Sequence, residues 1–210
     1  MKKIISLIIL LIMNVIPALA DTMPFYMNSI PQGVYGLYQT DKTLVLRTAP
    51  REDSPVIKDY ELSYIQETMP DNMFAVLLNE KQLGFLYVVD IDDDGWVKVI
   101  YDKQTKAEGW VKTTDRLQFL PWINFYNLYG RKYGLRILKD APEEIRELYS
   151  KAEELSQPLS KLNYVKQIKL TAIRGNWALV SVYDLDKIPK MGYLRWRGNN
   201  GEIYAFPNIK

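Results

Sequence analysis

The chain has 210 residues, of which 48% are hydrophobic, and a formal net charge of +2. This length is sufficient for one large domain or two small ones. The chain contains neither cysteine nor histidine, which excludes disulfides, thiolate metal sites and nucleophilic centres of the Cys–His or Ser–His–Asp type. We therefore expect no enzymatic activity, no cofactor and no metal site.

The first residues show the three zones of a secretory signal. Lys2 and Lys3 form a positive start, an apolar run covers residues 4–16, and small residues end at Ala20. The apolar run is shorter than the roughly 20 residues that cross a bilayer. We predict a cleavable signal peptide over residues 1–20, with an uncleaved anchor as the alternative. No cysteine stands at the cleavage position, so a lipoprotein is excluded, and the expected location is the periplasm or the medium.

The mature part of the chain would be electrically neutral. Removal of residues 1–20 takes away Lys2 and Lys3, which leaves 25 basic side chains against 25 acidic ones. Binding to nucleic acid relies on clustered basic side chains that displace counterions from phosphates. The charge therefore gives no reason to expect a nucleic-acid partner, and we expect no stable membrane span once the signal is removed.

An N-terminal extension over residues 21–33 has a loop-like composition, with two prolines and a glycine. Short runs of β-branched, aromatic and aliphatic residues follow, and turn-forming residues separate them. This density of short strands and turns is typical of a small barrel or sandwich. The predicted strands are Val34–Tyr38, Leu44–Arg47, Met73–Leu78, Phe85–Ile91, Trp96–Tyr101 and Trp110–Lys112.

The acidic segment from Asp90 to Gly95 matches the opening of a calcium-binding loop. A complete loop of this kind needs a bidentate glutamate six positions after the glycine, where this chain has Tyr101. Asp94-Gly95 is a favoured turn pair. We predict a hairpin turn here and keep a weak calcium site as the alternative.

The segment over residues 119–129 is rich in aromatic side chains. A flexible linker is normally polar and rich in glycine or serine. We therefore predict that this segment packs two domains against each other. The alternative is a ligand cleft at the domain boundary.

A helix is predicted near residues 142–155. Asp140 can cap it, Pro142 suits its first turn, and Ile145, Leu148 and further apolar residues follow at helical spacing. We expect the apolar stripe to pack on its own domain, with a partner-binding helix as the alternative.

The two halves of the chain contain similar motifs in the same order. Glycine followed by an aromatic residue occurs at Trp96 and Trp110, and Trp177 and Tyr193 follow glycines in the second half. We also align Arg47 with Arg136, each in a short apolar context that a proline follows. The conserved order of these features predicts two copies of one fold.

The pattern L-x-x-R-x-x-P, then G-x-W-x-x-V, then G-W/Y-V/L resembles the bacterial SH3-like (SH3b) domain. The resemblance implies an all-β fold with two small SH3-like β-barrels in tandem, over residues 34–118 and 130–210. The second barrel would carry the α-helix near 142–155 as an insertion. Many members of this family accompany wall-degrading enzymes and bind peptidoglycan or peptides, whereas no enzyme accompanies the domains here.

The large aromatic residues are either barrel core and rim, or a groove for a peptide or glycan. A buried Trp or Tyr removes about 150–250 Å² from water, while an exposed one offers a rigid contact surface. The candidate ligand-binding residues are Tyr35, Tyr38, Trp96, Tyr101, Trp110, Trp177, Arg195 and Arg197.

Arg195 and Arg197 flank Trp196 just before an Asn-Asn-Gly hairpin turn. On a strand the two arginines share one face and could grip a carboxylate of a peptide. The alternative is that they form ion pairs with acidic side chains of this chain.

The leading hypothesis is an exported, non-enzymatic protein that binds cell-wall (peptidoglycan) or peptide ligands. The alternative is a periplasmic module for protein–protein interaction or assembly, which binds an envelope protein and no glycan. A carboxylate-only enzyme is a third possibility, although no pair of acidic residues stands out in the sequence.

Overall fold

A computed structural model describes residues 30–40, 43–61, 72–78, 83–114, 118–162, 165–184 and 188–209. The predicted signal peptide and most of the N-terminal extension lie outside these ranges. None of the described helices has both the length and the apolar character needed to cross a bilayer.

The first sheet is antiparallel and has eight strands. Seven of them follow the order β3-β2-β7-β6-β5-β1-β8, and β4 pairs with β5 beside this path. The strands are β1 (Gly36–Gln39), β2 (Thr43–Arg47), β3 (Val56–Glu61), β4 (Val76–Leu78), β5 (Leu83–Ile91), β6 (Trp96–Asp102), β7 (Ala107–Lys112) and β8 (Phe119–Pro121).

The predicted turn between β5 and β6 is confirmed. Asp92 accepts a hydrogen bond from the backbone N–H of Asp94 at 3.0 Å, and Gly95 has a φ of +80°. The acidic side chains thus shape a hairpin turn. Among the described residues, no group of three or more carboxylates is placed to hold a metal ion.

A connecting helix over residues 122–133 joins the two sheets. It consists of an α-helical turn (Trp122–Phe125), a π-helical turn (Tyr126–Gly130) and a second α-helical turn (Arg131–Tyr133). Sequence analysis predicted an apolar contact segment here but no helix.

The second sheet is also antiparallel, and its seven strands follow the order β11-β10-β14-β13-β12-β9-β15. A 3₁₀ turn (Glu143–Ile145) precedes β10. The strands are β9 (Leu135–Ile137), β10 (Glu147–Tyr149), β11 (Pro158–Lys161), β12 (Gln167–Arg174), β13 (Trp177–Tyr183), β14 (Lys190–Arg195) and β15 (Ala205–Pro207).

The two sheets have the same topology once β4 is set aside. With the strands of each sheet renumbered in chain order, both sheets read 3-2-6-5-4-1-7. The register also matches, because Trp96 is opposite Lys112 in the first sheet and Trp177 is opposite Arg195 in the second. A β-bulge follows Val88 in β5, and another follows Leu170 at the matching point of β12. Agreement in strand order, register and bulge position supports a duplicated architecture.

The predicted helix near 142–155 is wrong. After the 3₁₀ turn the chain forms β10, passes through a turn, and returns as β11, which pairs with β10. Ile145 and Leu148 are buried as expected, but Leu155 is 95% exposed, so no continuous apolar stripe exists. An isolated helix of this length is only marginally stable, whereas pairing of β10 with both β11 and β14 adds hydrogen bonds and packing across the sheet.

The proposed equivalence of Arg47 and Arg136 is also wrong. Arg47 lies in β2 opposite Trp110, whereas Arg136 lies in β9, whose counterpart in the first sheet is β1. The residue that matches Arg47 is Tyr149 in β10, which pairs with Tyr193. The alignment failed because β10, the true counterpart of β2, lies in the segment that was predicted as a helix.

The buried apolar residues form two hydrophobic clusters. The smaller lies on one face of the first sheet and includes Leu44, Leu86 and Val99. The larger combines the opposite face of that sheet, the connecting helix and the inner face of the second sheet. The ring of Phe125 lies 5.6 Å from that of Phe85 and 5.5 Å from that of Phe206, measured between centroids. The connecting helix is therefore part of a shared core, not a flexible linker.

The protein is thus mainly β, as the sequence predicted. Within the described part of the chain, neither sheet closes into a barrel by pairing its two end strands.

Candidate ligand-binding site

The candidate aromatic residues lie on equivalent strand pairs, β6–β7 and β13–β14. Directly opposed residues of antiparallel strands point to the same face. Trp96, Lys98, Trp110 and Lys112 therefore share the outer face of β6–β7, since Trp96 pairs with Lys112 and Lys98 with Trp110. The register of β13–β14 gives Trp177, Tyr193 and Arg195 the matching positions.

Trp96 and Trp177 are buried, with 3% and 8% of their surface exposed. A cation covers each ring: Lys112 Nζ lies 5.2 Å from the centroid of Trp96, and Arg195 Cζ lies 5.7 Å from that of Trp177. Such cation–π contacts stabilise by about 0.5–1 kcal/mol at accessible sites. These two rings are therefore parts of the folded framework, and the cations above them face solvent.

Trp110 and Tyr193 are half-buried, so each leaves part of its ring accessible. Lys98 Nζ lies 5.9 Å from the ring centroid of Trp110 and 3.1 Å from a carboxylate oxygen of Glu108. The equivalent strands β7 and β14 thus present one partly accessible ring each. Lys98 lies beside the ring of Trp110, and Arg195 shares the strand face of Tyr193. Rings and cations in this arrangement can contact an apolar or planar group and an anionic group at once.

In the second sheet, Arg195 belongs to a polar network. Its Nη2 donates to Glu154 Oε1 at 2.9 Å, and Asn199 Nδ2 donates to the same oxygen at 2.5 Å. Asn176 Nδ2 in turn donates to Asn199 Oδ1 at 3.1 Å. The network ties the turn before β11, the turn before β13 and the hairpin after β14 together at one end of the sheet. Arg195 therefore forms an intramolecular ion pair, which was one of the two sequence interpretations.

Tyr149 in β10 lies next to this polar network and contacts Trp177. Its ring meets that of Trp177 edge to face, with 5.3 Å between centroids, and its hydroxyl donates to Glu147 Oε2 at 3.3 Å. Partial burial, followed by the negative charge of Glu147, raises the pKa of the Tyr149 hydroxyl above its ordinary value. The hydroxyl is consequently a neutral hydrogen-bond donor at neutral pH.

Arg197 lies apart from the face that Arg195 occupies. It forms an isolated bridge with Ile203, and its buried Nε has no hydrogen-bond partner among the described residues. The neighbouring Trp196 is buried and donates from Nε1 to the carbonyl of Gly175 at 3.0 Å. Its ring is tilted by 47° against that of Tyr126, with 4.3 Å between the centroids. The predicted hairpin turn after Arg197 is present, with Gly198 N–H bonded to the carbonyl of Glu202.

The remaining three candidates are dispersed in the first sheet. Tyr35 is 56% exposed, whereas Tyr38 is 2% exposed and belongs to the smaller cluster. Tyr101 is partly buried against that cluster, and Tyr60 is too. Burial, reinforced by Tyr101 and Asp102, raises the pKa of Tyr60. Trp96 and Trp110 share one strand face, as do Trp177 and Arg195, whereas Tyr38 belongs to the core.

Sequence analysis missed Tyr149, Glu154 and Asn199 as members of this end of the second sheet. Tyr149 and Glu154 lie in the segment predicted as a helix, where they fell on different faces. Asn199 was recognised only as a turn residue.

The chain matches no protein-family model and no curated protein sequence.

Proposed function

We propose that this chain is an exported, non-enzymatic protein that binds cell-wall (peptidoglycan) or peptide ligands through two SH3-like domains. The export rests on the three zones of residues 1–20. The absence of cysteine and histidine from the whole sequence removes the usual nucleophilic and general-base groups. The identical strand order of the two sheets is the expected mark of two copies of one domain.

One observation supports ligand binding most directly: equivalent positions of the two sheets, Trp110 and Tyr193, carry half-buried rings. Unlike the buried rings of Trp96 and Trp177 on the same faces, these two rings keep part of their surface accessible. Rings of this kind provide rigid contact area for a peptide or for the apolar face of a sugar. Lys98 lies beside the ring of Trp110, and Arg195 shares the strand face of Tyr193. Both cations are paired with acidic side chains, Glu108 and Glu154, so a peptide carboxylate binds them in exchange for these partners.

A module for protein–protein interaction, which would bind an envelope protein without glycan, is the second proposal. It draws on exposed aliphatic side chains in the second half, namely Leu159 at 55%, Met191 at 60% and Ile188 at 69%. Large exposed aliphatic groups suit a protein partner better than a hydrated glycan.

Retention on purified peptidoglycan tests the first proposal. We expect the wild-type protein to be retained and Trp110→Ala combined with Tyr193→Ala to lose most of the retention. Trp110→Phe should keep it, because an aromatic face remains. Leu128→Ala is the matched control, since Leu128 is an exposed apolar residue of the connecting helix, 53% accessible.

Trp96→Ala is a poor probe of binding, because Trp96 is buried and its removal affects folding first. Failure of the wild-type protein to bind either peptidoglycan or free stem peptides would contradict the first proposal. Capture of one envelope protein that Met191→Asp abolishes would then support the second.

A further inference from the structure

The second sheet has a gap that the first sheet lacks. In the first sheet β1 and β5 form four consecutive pairs, from Gly36↔Val88 to Gln39↔Phe85. The equivalent strands β9 and β12 pair only at Leu135↔Ile168. Continuing that antiparallel register would place Arg136 opposite Gln167, but these positions do not pair among the described residues. The two strands therefore separate just after the connecting helix ends.

The separation opens a cavity of about 560 Å³, which is within the range of about 300–1,000 Å³ that is usual for small-molecule sites. One wall is apolar, and the side chains at its base, Leu135 and Ile168, belong to the larger hydrophobic cluster. Partly buried apolar residues of the same cluster extend the wall: Tyr133, Ile137 and Val165.

The rest of the lining is polar and carries positive charge. Arg136, Arg146 and Lys166 line the cavity, and no acidic side chain among the described residues does. Arg146 and Lys166 are exposed and form no ion pair within the ranges that the structure describes. A guanidinium and an ammonium group that form no ion pair favour an anion, and the polar side chains of Gln167 and Asn208 add hydrogen-bonding capacity.

We propose that the gap between β9 and β12 binds a small amphiphilic anion, a carboxylate or phosphate group on an apolar body. The anionic group contacts Arg146 and Lys166, and the apolar body packs on the partly exposed side chains of Tyr133, Ile137 and Val165. This site does not depend on the SH3-like assignment or on the aromatic faces of the two sheets. The cations distinguish it from a purely apolar pocket, and the apolar wall distinguishes it from a surface that attracts any anion.

Four probes separate the components of the proposal in a titration of the protein followed by backbone amide NMR. Octanoate and octyl phosphate carry both parts of the ligand, 1-octanol carries only the apolar part, and inorganic phosphate only the charge. We expect either anionic amphiphile to shift the resonances of β9 and β12. A response to octanoate alone assigns a carboxylate ligand, and a response to octyl phosphate alone assigns a phosphate ligand.

Replacing the cations tests their role. Arg146→Gln with Lys166→Gln should weaken binding of the responding amphiphile by about tenfold. Lys151→Gln with Lys169→Gln removes the same charge from exposed positions outside the lining and should change affinity by less than about twofold. Circular dichroism melting of both double variants verifies that they fold.

Four results would overturn the proposal. They are no shift of β9 or β12 by any probe, binding of 1-octanol as tight as that of the responding amphiphile, binding of inorganic phosphate as tight as that of the responding amphiphile, and unchanged affinity in the Arg146/Lys166 double variant. None of these results bears on retention by peptidoglycan, so the failure of this site and the failure of the proposed function remain distinguishable.

Discussion

Arg195 stands directly opposite Trp177 across β13 and β14, and its guanidinium carbon lies 5.7 Å from the centroid of the indole ring. Lys112 has the same relationship to Trp96 across β6 and β7. A cation above a buried tryptophan thus recurs at one position of a repeated sheet. The ring supports the packing of the sheet, and the cation covers its outer face.

The cation above Trp177 should therefore be replaceable by another cation but not by an apolar group. We expect Arg195→Met to lower the free energy of unfolding by about 1 kcal/mol, because it removes the cation–π contact and the ion pair with Glu154. Arg195→Lys should cost less, since lysine occupies the matching position above Trp96. Urea unfolding of the three proteins compares these values, and equal stability of wild type and Arg195→Met would contradict the assignment.

The two tryptophans of the first sheet should respond differently to truncation. Trp96 is buried, so Trp96→Ala should destabilise the protein by about 3–5 kcal/mol. Trp110 is half-buried, and we expect Trp110→Ala to cost about 1–2 kcal/mol because less area is lost. Urea unfolding measures both. A larger loss for Trp110→Ala would place Trp110 in the core and remove it from the proposed ligand face.

Gly134 and Gly33 form a matched pair for backbone strain. Both have positive φ, +79° and +77°. A Cβ at Gly33 would meet nothing within 4 Å, whereas one at Gly134 would overlap the carbonyl oxygen of Ile168. Alanine at Gly33 should cost about 1–2 kcal/mol through its left-handed conformation alone.

Gly134 has a φ of +79° and a ψ of −172°, a region essentially restricted to glycine, so alanine there adds the clash to a larger backbone cost. It should therefore lower the melting temperature clearly more than Gly33→Ala does. Thermal unfolding followed by circular dichroism measures the difference. Equal melting temperatures for the two variants would mean that β9 and β12 can move apart at Gly134 without cost.

Leu148 and Leu155 distinguish the observed strands from the predicted helix. Leu148 is fully buried and Leu155 is 95% exposed, although a helix over 142–155 would put both on one face. We expect Leu148→Ala to cost about 2–5 kcal/mol and Leu155→Ala to change stability by less than about 0.5 kcal/mol. Comparable losses for the two variants in chemical denaturation would instead favour the helix.

Tyr126 should make stability depend on alkaline pH. Its hydroxyl is buried and donates to the carbonyl of Ala205 at 2.5 Å, and burial raises the pKa of this hydroxyl well above its ordinary value. Between the unfolded pKa of about 10 and the higher folded pKa, the unfolded chain loses this proton while the folded protein keeps it. The contribution is therefore fully present below the unfolded pKa and is lost as pH rises above it.

Tyr126→Phe isolates that contribution, because the other tyrosines titrate in both proteins. We expect the variant to be less stable at neutral pH by about 1–3 kcal/mol, since the Ala205 carbonyl loses its donor. From about pH 9 to about pH 11, its free energy of unfolding should fall less steeply than that of wild type. Parallel curves over this interval would show that the hydroxyl reaches solvent.

The sequence was informative where apolar and polar residues alternate along a strand, and where a turn contains residues that favour a turn conformation. The Trp96 strand, the Asp94-Gly95 turn and the hairpin after Arg197 follow from residues close together in the chain. The recurring glycine–aromatic pairs also predicted the matching strands β7 and β14. The 142–155 segment misled, because Ile145 and Leu148 satisfy helical spacing and strand burial equally well. Short apolar patterns of this kind are settled by partners that lie far away in sequence.

By itself the sequence determined the mainly β class, the recurrence of glycine–aromatic motifs in the two halves, and the lack of thiol and imidazole chemistry. These properties depend on composition and local spacing. Only the tertiary structure decided which rings are buried, that Arg195 is bound by Glu154, and that β9 and β12 part to leave a cationic cavity. Each of these depends on contacts between segments that are distant in the chain. Local residue patterns do not predict the free energy of such contacts.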